Sequence, residues 1–179
     1  GVLIYTIVAF LMRAYIKEKH EKDKVIQQLH YNSSHDPLTA LRNRRYFIQY
    51  LNNTIGAKRE HFYLLMFDVD HFKKVKHTYA HLFGDQVLCE ISKIARNIRH
   101  VEDGEIAVRY GGEEFIQLFF ADSMDEAFKR AEQMRHAISK ITFNEFPNIQ
   151  ITVSGGLESC ANPHFKTHEK LLSSVDALL

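Results

Sequence analysis

Cysteine, proline and tryptophan are scarce in this sequence. Its 179 residues include two cysteines, three prolines and no tryptophan. Cys89 and Cys160 are far apart and form no CxxC pair, which excludes a disulfide framework and a zinc site built on such pairs. The eleven histidines show no HExxH or similar spacing, and we expect most of them at the surface. The net charge of +1 does not indicate a nucleic-acid partner.

Long hydrophobic runs are lacking as well. Residues 1–12 contain Thr6 as their sole polar side chain, but a helix of this length spans about 18 Å, whereas a transmembrane helix needs about 20 residues. Basic residues follow this run rather than precede it, which is unlike a signal peptide. We therefore expect residues 1–12 to be the C-terminal part of a transmembrane helix that begins before residue 1. The alternative is a buried core helix.

Residues 13–32 carry dense charges of both signs. This pattern is typical of a linker helix, either exposed or in a short coiled coil. The coiled-coil seam is weak, because residues 19–24 include no apolar side chain. Pro37 disfavours helix in the residue before it, so we place the domain boundary near Asn32. The remaining residues, 33–179, are long enough for one domain with a sizeable core, expected to be cytosolic.

One acidic cluster follows a predicted tight turn. Gly111 and Gly112 separate two apolar runs, and only glycine takes positive φ without a steric cost. Glu113 and Glu114 come directly after them, although acidic side chains are poor strand formers and costly to bury unpaired. The whole motif reads Arg109-Tyr110-Gly111-Gly112-Glu113-Glu114-Phe115.

A second acidic cluster, Asp68-Val69-Asp70, ends the most apolar strand-like run, residues 62–67. A helical stretch opens at Asp70, and its first free N–H groups are suited to phosphate oxygens. Two sets of carboxylates at the ends of buried strands predict a divalent-metal site for phosphate chemistry. The alternative for either cluster is a polar turn or a solvated strand end.

The rest of the pattern predicts helices and strands around these clusters. We expect Asn43 to cap a helix, residues 52–61 to form a loop, and a further loop to contain Gly84-Asp85. Residues 149–157 alternate like a strand that is broken at Gly155-Gly156. Three predicted helical faces are apolar: Tyr46, Phe47, Tyr50 and Leu51; Val87, Leu88, Ile91, Ile94, Ala95 and Ile98; and, after a capping box at Ser123, Ala127, Phe128, Ala131, Ile138 and Ile141.

Residues 171–179 predict a last helix. The order of the domain is therefore helix, strand, helix, strand, strand, helix, strand, helix. It predicts an α/β fold, an α+β sandwich whose mixed or antiparallel sheet is flanked by helices. The arrangement is similar to the ferredoxin-like fold and is preceded by the N-terminal helix.

These motifs, in this order, resemble those of the GGDEF-domain diguanylate cyclases, whose sheet is of the nucleotidyl-cyclase type. The resemblance implies an enzyme that condenses two GTP into cyclic di-GMP and releases pyrophosphate. Each domain would bind one GTP, so two domains would face each other in a dimer. The matching segments are His35-Asp36-Pro37-Leu38-Thr39, Asn43-Arg44-Arg45-Tyr46-Phe47, Phe67-Asp68-Val69-Asp70-His71-Phe72-Lys73, His81, Gly84-Asp85, the hairpin motif from Arg109 to Phe115, and Thr152-Val153-Ser154.

The resemblance also implies roles for individual residues. Asp68, Glu113 and the carbonyl of Val69 would hold Mg²⁺ or Mn²⁺, with Glu114 close by as a further catalytic carboxylate. Asp85 would accept hydrogen bonds from guanine. The remaining substrate-binding positions would be the backbone N–H groups of His71, Phe72 and Lys73, together with Lys76, Gly111 and Gly112.

Several positions depart from the family's usual pattern. Lys76 stands where an asparagine usually contacts guanine, and lysine cannot accept a hydrogen bond. Gly155 replaces an apolar residue. An Arg-x-x-Asp motif that binds the product in many members is replaced by residues 102–105, which begin with Glu102, so we expect no product-inhibition site. Ala40 and Ala80 replace glycines, Arg42 replaces a proline, and the family's later lysine and arginine contacts to the triphosphate would lie beyond Leu179.

The expected protein is a diguanylate cyclase anchored in the cell inner membrane through its N-terminal segment, with the GGDEF domain in the cytoplasm. We expect a homodimer through this domain and the N-terminal helix, GTP as substrate, and no nucleic-acid partner. The main alternative is a degenerate GGDEF module that binds GTP without turnover and signals by protein contact. Another nucleotidyl cyclase with this fold is less favoured, because the hairpin has the diguanylate cyclase pattern at every position.

Overall fold

The computed structural model describes residues 1–55, 61–79, 81–98, 104–161, 170 and 173. The chain divides into two compact units, residues 1–34 and 35–179. The first unit is one helix, α1 (Val2–Ser34), in which no residue is buried. Within the described part of the chain, no helix combines the length and the apolar character that a membrane crossing requires.

The second unit contains a five-stranded sheet with helices on both faces. The strand order is β1-β3-β4-β2-β5, in which β1 and β3 are parallel and the other neighbours are antiparallel. The predicted mixed sheet flanked by helices is thereby confirmed. The elements are β1 (Arg42–Asn43), α2 (Arg44–Ile55), β2 (Phe62–Val69), α3 (Phe72–Tyr79), α4 (His81–Ile98), β3 (Ile106–Arg109), β4 (Glu114–Phe120), α5 (Met124–Ser139) and β5 (Val153–Ser159).

Strand β2 is the centre of the core. It pairs along its length with β4 on one side and β5 on the other. Because successive side chains of a strand point to opposite faces, a strand apolar at almost every position needs cover on both. Residues 63, 65, 67 and 69 join the core cluster that includes side chains of α3, α4 and α5, whereas residues 62, 64 and 66 join the cluster that includes α2. The prediction of a central strand buried on both faces is confirmed.

The predicted helix starts are correct. Asn43 Oδ1 accepts a hydrogen bond from the backbone N–H of Tyr46 at 2.9 Å, as an N-cap should. Ser123 Oγ accepts from the N–H of Glu126 at 3.2 Å at the start of α5. Helix α2 continues to Ile55, so the loop expected from residue 52 begins later; residues 56–60 lie outside the described part of the chain.

Two helix predictions are wrong. Gly84 and Asp85 do not form a loop but belong to α4, which begins at His81. Phe128 is not part of the core, since 59% of its surface is exposed. The buried side chains of α5 are Ala127, Met134 and Ile138, a stripe too narrow to include the next position around the helix.

Strand β5 runs through Gly155 and Gly156 without the break predicted there. Gly155 pairs with Phe67 of β2 at very short range. A Cβ on Gly155 would lie 2.8 Å from the carbonyl oxygen of Met66 and 2.9 Å from Cβ of Phe67. The close approach of the two strands therefore requires glycine, which accounts for the missing apolar side chain.

The loop before β1 contains a strained residue. Ala40, where the family usually has glycine, takes φ of 54°. This left-handed conformation is unfavourable for any residue with a Cβ. The helix predicted for residues 171–179 falls outside the described part of the chain except for Ser173.

Candidate active site

The hairpin between β3 and β4 closes as predicted, but for a different reason. The backbone N–H groups of Tyr110 and Gly111 both donate to the carbonyl of Glu114, at 2.8 and 3.2 Å. Neither Gly111 nor Gly112 has positive φ, so the conformational reason given for the glycines is wrong. A Cβ on Gly111 would instead collide with the Glu114 carboxylate, whose Cδ would be 3.1 Å away. Gly111 leaves the space that this carboxylate occupies where it folds back onto the turn.

Arg109 ties this turn to the start of the domain. Its Nη1 donates to Asp36 Oδ1 at 3.0 Å, and its Nη2 donates to the carbonyl of Gly112 at 2.8 Å. Asp36 Oδ1 also accepts from the N–H and the hydroxyl of Thr39, at 2.9 and 2.7 Å. Burial raises the pKa of Asp36, but the hydrogen bonds from Thr39 and the guanidinium of Arg109 lower it by more. The pKa of Asp36 therefore lies below its ordinary value.

We call the hydrogen bonds of Arg109 to Asp36 and to the carbonyl of Gly112 the latch. Its role was not predicted from the sequence. Asp36 and Arg109 were identified only as members of two matching motifs. The two residues carry opposite charges, and they lie close to Pro37 and to the Gly111-Gly112 turn. These features are the signal from which a pairing could have been inferred.

Asp68 is the second-last residue of β2, where this strand is paired with both β4 and β5. The strand register places it opposite Glu114 of β4 and Ser154 of β5. Its Oδ1 is buried and has no hydrogen-bond partner in the described structure. Burial raises the pKa of Asp68, and the negative charges of Glu113, Glu114 and Asp70 raise it further.

The acidic side chains that the sequence predicted to converge are therefore close enough to repel one another. Asp68, with its orphaned oxygen, and Glu113 supply two carboxylates, and Val69 is the buried last residue of β2 beside them. Among the described residues there is no group of three or more histidine, cysteine or acidic side chains suited to hold a metal ion. Mg²⁺ needs only one or two protein carboxylates when substrate phosphates and water complete its coordination shell.

Three residues after Asp68, the chain turns into α3 at His71. His71 takes φ of 56°, and its carbonyl accepts from the N–H groups of Lys74 and Val75 at 2.8 and 3.1 Å. The N–H groups of His71, Phe72 and Lys73 donate no hydrogen bond to any residue that the structure describes. Free amides at the start of a helix are suited to bind phosphate oxygens.

Lys76 does not simply extend into solvent. Its stem packs on Gly84, where a Cβ would lie 2.6 Å from Lys76 Cγ and 3.4 Å from Cζ of Phe72. Its Nζ lies 4.8 Å from the ring centroid of Phe72, which is within cation–π range. Gly84 thus makes room for the lysine stem, and the neighbouring Asp85 is exposed in the first turns of α4.

Glu105, the last of the residues 102–105 that replace the product-binding motif, is part of the core. Glu105 is 2% exposed, and its carboxylate accepts from Arg130 Nη1 and Nη2 at 2.7 and 2.9 Å and from the N–H of Phe120 at 3.1 Å. Glu102 and Asp103 lie outside the described part of the chain. The buried ion pair leaves Glu105 unavailable to a ligand.

A groove of about 350 Å³ lies between α5 and the sheet, away from the carboxylates. Leu65, Phe67 and Val153 line it together with Phe128 of α5. Because strand side chains alternate, Leu65 and Phe67 point to the face opposite to that of Asp68. The groove is therefore separate from the candidate site.

The chain is similar in sequence to known proteins. The family model described as "Diguanylate cyclase, GGDEF domain" matches residues 33–179. Diguanylate cyclase A of Treponema denticola is 35% identical over 131 residues, which are 69% of this chain and 35% of that protein. A protein of Staphylococcus aureus, named only as an uncharacterized membrane protein, is 34% identical over 151 residues, which are 81% of this chain and 42% of that protein.

A solved structure is similar over nearly the whole chain. It is the crystal structure of the diguanylate cyclase SiaD in complex with its activator SiaC from Pseudomonas aeruginosa. The TM-score is 0.74 at 26% sequence identity, and the match covers 96% of this chain and 66% of that chain. The chain spans less than half the length of the Treponema denticola and Staphylococcus aureus relatives, 35% and 42% respectively.

Proposed function

The chain belongs to the family of diguanylate cyclase GGDEF domains, and from this premise we propose that residues 33–179 condense two GTP into cyclic di-GMP with release of pyrophosphate. The observation that carries the proposal is the buried, unpartnered Oδ1 of Asp68. The negative charges of Glu113 and Glu114 act on this carboxylate, and three residues later begin three backbone N–H groups that donate to no residue that the structure describes. Such an arrangement serves both a divalent cation and the triphosphate that accompanies it.

The residues present fit a resident Mg²⁺ or Mn²⁺. An orphaned buried carboxylate oxygen and a raised Asp68 pKa are the properties of a ligand that an ion would relieve. Asp68, Glu113 and the carbonyl of Val69 would hold the ion, with Glu114 adjacent. When bound, it would offset negative charge on the α-phosphate and the departing pyrophosphate and would favour ionisation of the attacking 3′-hydroxyl.

The chain's own groups bind and orient the substrate. The N–H groups of His71, Phe72 and Lys73 donate to phosphate oxygens, and Asp85 accepts from the guanine edge. The 3′-oxygen of one GTP then attacks the α-phosphorus of the second; a P–O bond forms there while the bond to pyrophosphate breaks, and the step is repeated in the other direction. Because each domain holds one GTP, we propose that two copies face each other as a homodimer.

A degenerate module that binds GTP without turnover is the second candidate. Lys76 favours it, because this side chain cannot accept a hydrogen bond from guanine and its stem packs against Gly84. The three acidic residues at the ends of β2 and β4 favour the cyclase.

We also propose a place in the cell. Residues 2–12 of α1 expose mostly apolar side chains, and a relative of this chain is named as a membrane protein. We propose that this segment anchors the protein in the inner membrane, with the GGDEF domain cytoplasmic, and that the remainder of α1 contributes to the dimer.

A turnover assay separates the two candidates. The protein at its full natural length is incubated with GTP and Mg²⁺, and nucleotides and pyrophosphate are quantified by chromatography and a coupled assay. A cyclase forms one cyclic di-GMP and two pyrophosphates from two GTP, and it forms no dinucleotide from ATP at equal concentration. Saturable GTP binding without pyrophosphate release would instead identify the binding module.

A further inference from the structure

Asp70 has no role in the proposed chemistry, yet it is tightly held. Its Oδ2 accepts from the hydroxyl of Thr152 at 2.6 Å, and its Oδ1 accepts from the hydroxyl of Ser154 at 2.7 Å. Its backbone N–H donates to the carbonyl of Thr152 at 3.0 Å. Three hydrogen bonds thus fix this residue to the segment that opens β5, more than eighty residues later in the chain.

These contacts distinguish Asp70 from Asp68, two residues earlier. Each carboxylate oxygen of Asp70 is engaged by a hydroxyl, whereas Asp68 keeps an orphaned oxygen. Hydrogen bonds to an ionised carboxylate are stronger than those between neutral groups. The contacts therefore suit Asp70 for a structural task at the site rather than for binding a metal.

The residue that follows Asp70 is in a conformation that needs support. His71 takes φ of 56°, which is unfavourable for a residue with a Cβ and persists only where its surroundings impose it. This left-handed residue turns the chain from β2 into α3. The N–H groups of His71, Phe72 and Lys73 then remain free among the described residues.

We propose that Asp70 is a positioning residue, clamped by Thr152 and Ser154, that holds the left-handed turn at His71 so that three backbone N–H groups face the substrate's β- and γ-phosphates. This inference rests on the proposed function, because it takes the ligand to be a nucleoside triphosphate. The clamp joins the end of β2 to β5, so the order of the phosphate-binding turn depends on two hydroxyl groups outside it.

The test measures affinity for two ligands that differ in phosphates. One is a GTP analogue with a methylene group between the α- and β-phosphorus, which cannot be condensed, and the other is guanosine. The variant Thr152→Val combined with Ser154→Ala removes both hydroxyls. We expect it to bind the analogue about tenfold more weakly, the loss associated with about one strong hydrogen bond, and to bind guanosine unchanged.

Two further variants separate positioning from a general loss of stability. The single variant Thr152→Ser keeps both hydroxyls, because Ser154 is native, and it should retain most of the native affinity for the analogue. Ser123→Ala removes the N-cap of α5, destabilises the domain away from the site, and should change neither affinity. Because Ser154 is exposed, Ser154→Ala alone should fold and should show a smaller loss in the same direction.

The outcomes are distinguishable from failure of the proposed function. If the native protein binds the GTP analogue and the double variant binds it equally well, the clamp has no such role and the proposed function stands. Equal weakening toward both ligands would also overturn the inference, because it would indicate a purely structural effect. If the native protein binds neither ligand in Mg²⁺, the proposed function fails, and the inference fails with it.

Discussion

Removing the charge of Asp36 should destabilise the domain and loosen the turn that carries Glu113. The side chains of Arg109 and Asp36 are only 15% and 19% exposed, and the nitrogen Nε of Arg109 has no hydrogen-bond partner among the described residues. Breaking a fully buried ion pair costs about 3–5 kcal/mol, and an exposed pair contributes about 1 kcal/mol at most. For Asp36→Ala, which also removes the acceptor of two hydrogen bonds from Thr39, we expect a loss of about 3 kcal/mol.

Asp36→Asn is the more informative variant. Its amide oxygen can still accept from Thr39, so we expect a smaller loss of about 1–2 kcal/mol from the missing charge. In a domain of this size each kcal/mol lowers Tm by about 2–4 °C. The matched control is Glu132→Gln in α5, which breaks the exposed pair with Arg135, whose side chains are 50% and 44% exposed. It should change Tm by less than about 2 °C.

The pH dependence provides an independent check. The pKa of Asp36 in the folded protein lies below the ordinary value of 3.8. The stability that its charge contributes is therefore fully present above that ordinary value and is lost as pH falls through the folded pKa. The difference in Tm between the native protein and Asp36→Asn should therefore be constant near neutrality and shrink below about pH 4. A difference that stays constant into strong acid, or a Tm of Asp36→Asn equal to that of the native protein at pH 7, would refute the latch.

Further predictions address single residues. Lys76→Asn should increase the preference for GTP over ATP in competition binding; an unchanged preference would mean that Lys76 does not face the base. Gly155→Ala should lower stability by about 1–3 kcal/mol because β5 must move away from β2, whereas Gly112→Ala, with open space around the new Cβ, should change denaturant-monitored stability little. Ala40→Gly should raise stability by up to about 1 kcal/mol by relieving the left-handed strain; a loss would show that the strain is absent. Asp68→Asn should raise Tm at neutral pH without metal, because a carboxyl whose folded pKa is raised destabilises the fold once ionised, and it should abolish any rise of Tm with Mg²⁺.

Much of the fold could be predicted because it depends on local patterns. The apolar run of β2, the caps at Asn43 and Ser123 and the apolar face of α4 are each determined by neighbouring residues, and all are found in the structure. The two acidic clusters were predicted to meet, and the strand register brings Asp68 opposite Glu114.

Apart from Phe128, the wrong predictions concern glycines that are explained by contacts with distant segments. Gly84 interrupts no helix; it makes room for the stem of Lys76, a residue from another helix. Gly155 is required by the backbone of β2, and Gly111 leaves space for a side chain three residues later. The sequence instead predicted a loop at Gly84, a strand break at Gly155 and a positive φ at Gly111, because contact with a distant segment leaves no local pattern.

The same limit applies to the polar contacts of the site. Asp36 with Arg109 and Asp70 with Thr152 are separated by 73 and 82 residues. Each pair consists of common residue types whose partners are determined only by the sheet topology. The sequence therefore identified the carboxylates proposed for chemistry but not the groups that hold their surroundings in place.

The most direct test of the proposed cyclase is the formation of cyclic di-GMP by Glu113→Gln beside the native protein. Both are used at full natural length with GTP and Mg²⁺, the product is quantified by chromatography, and a thermal melt without ligand shows that the variant is folded. We expect the native protein to form cyclic di-GMP and the folded variant to form none, because glutamine cannot supply the charged oxygen ligand. Undiminished product from Glu113→Gln would contradict the metal site on which the proposed function depends.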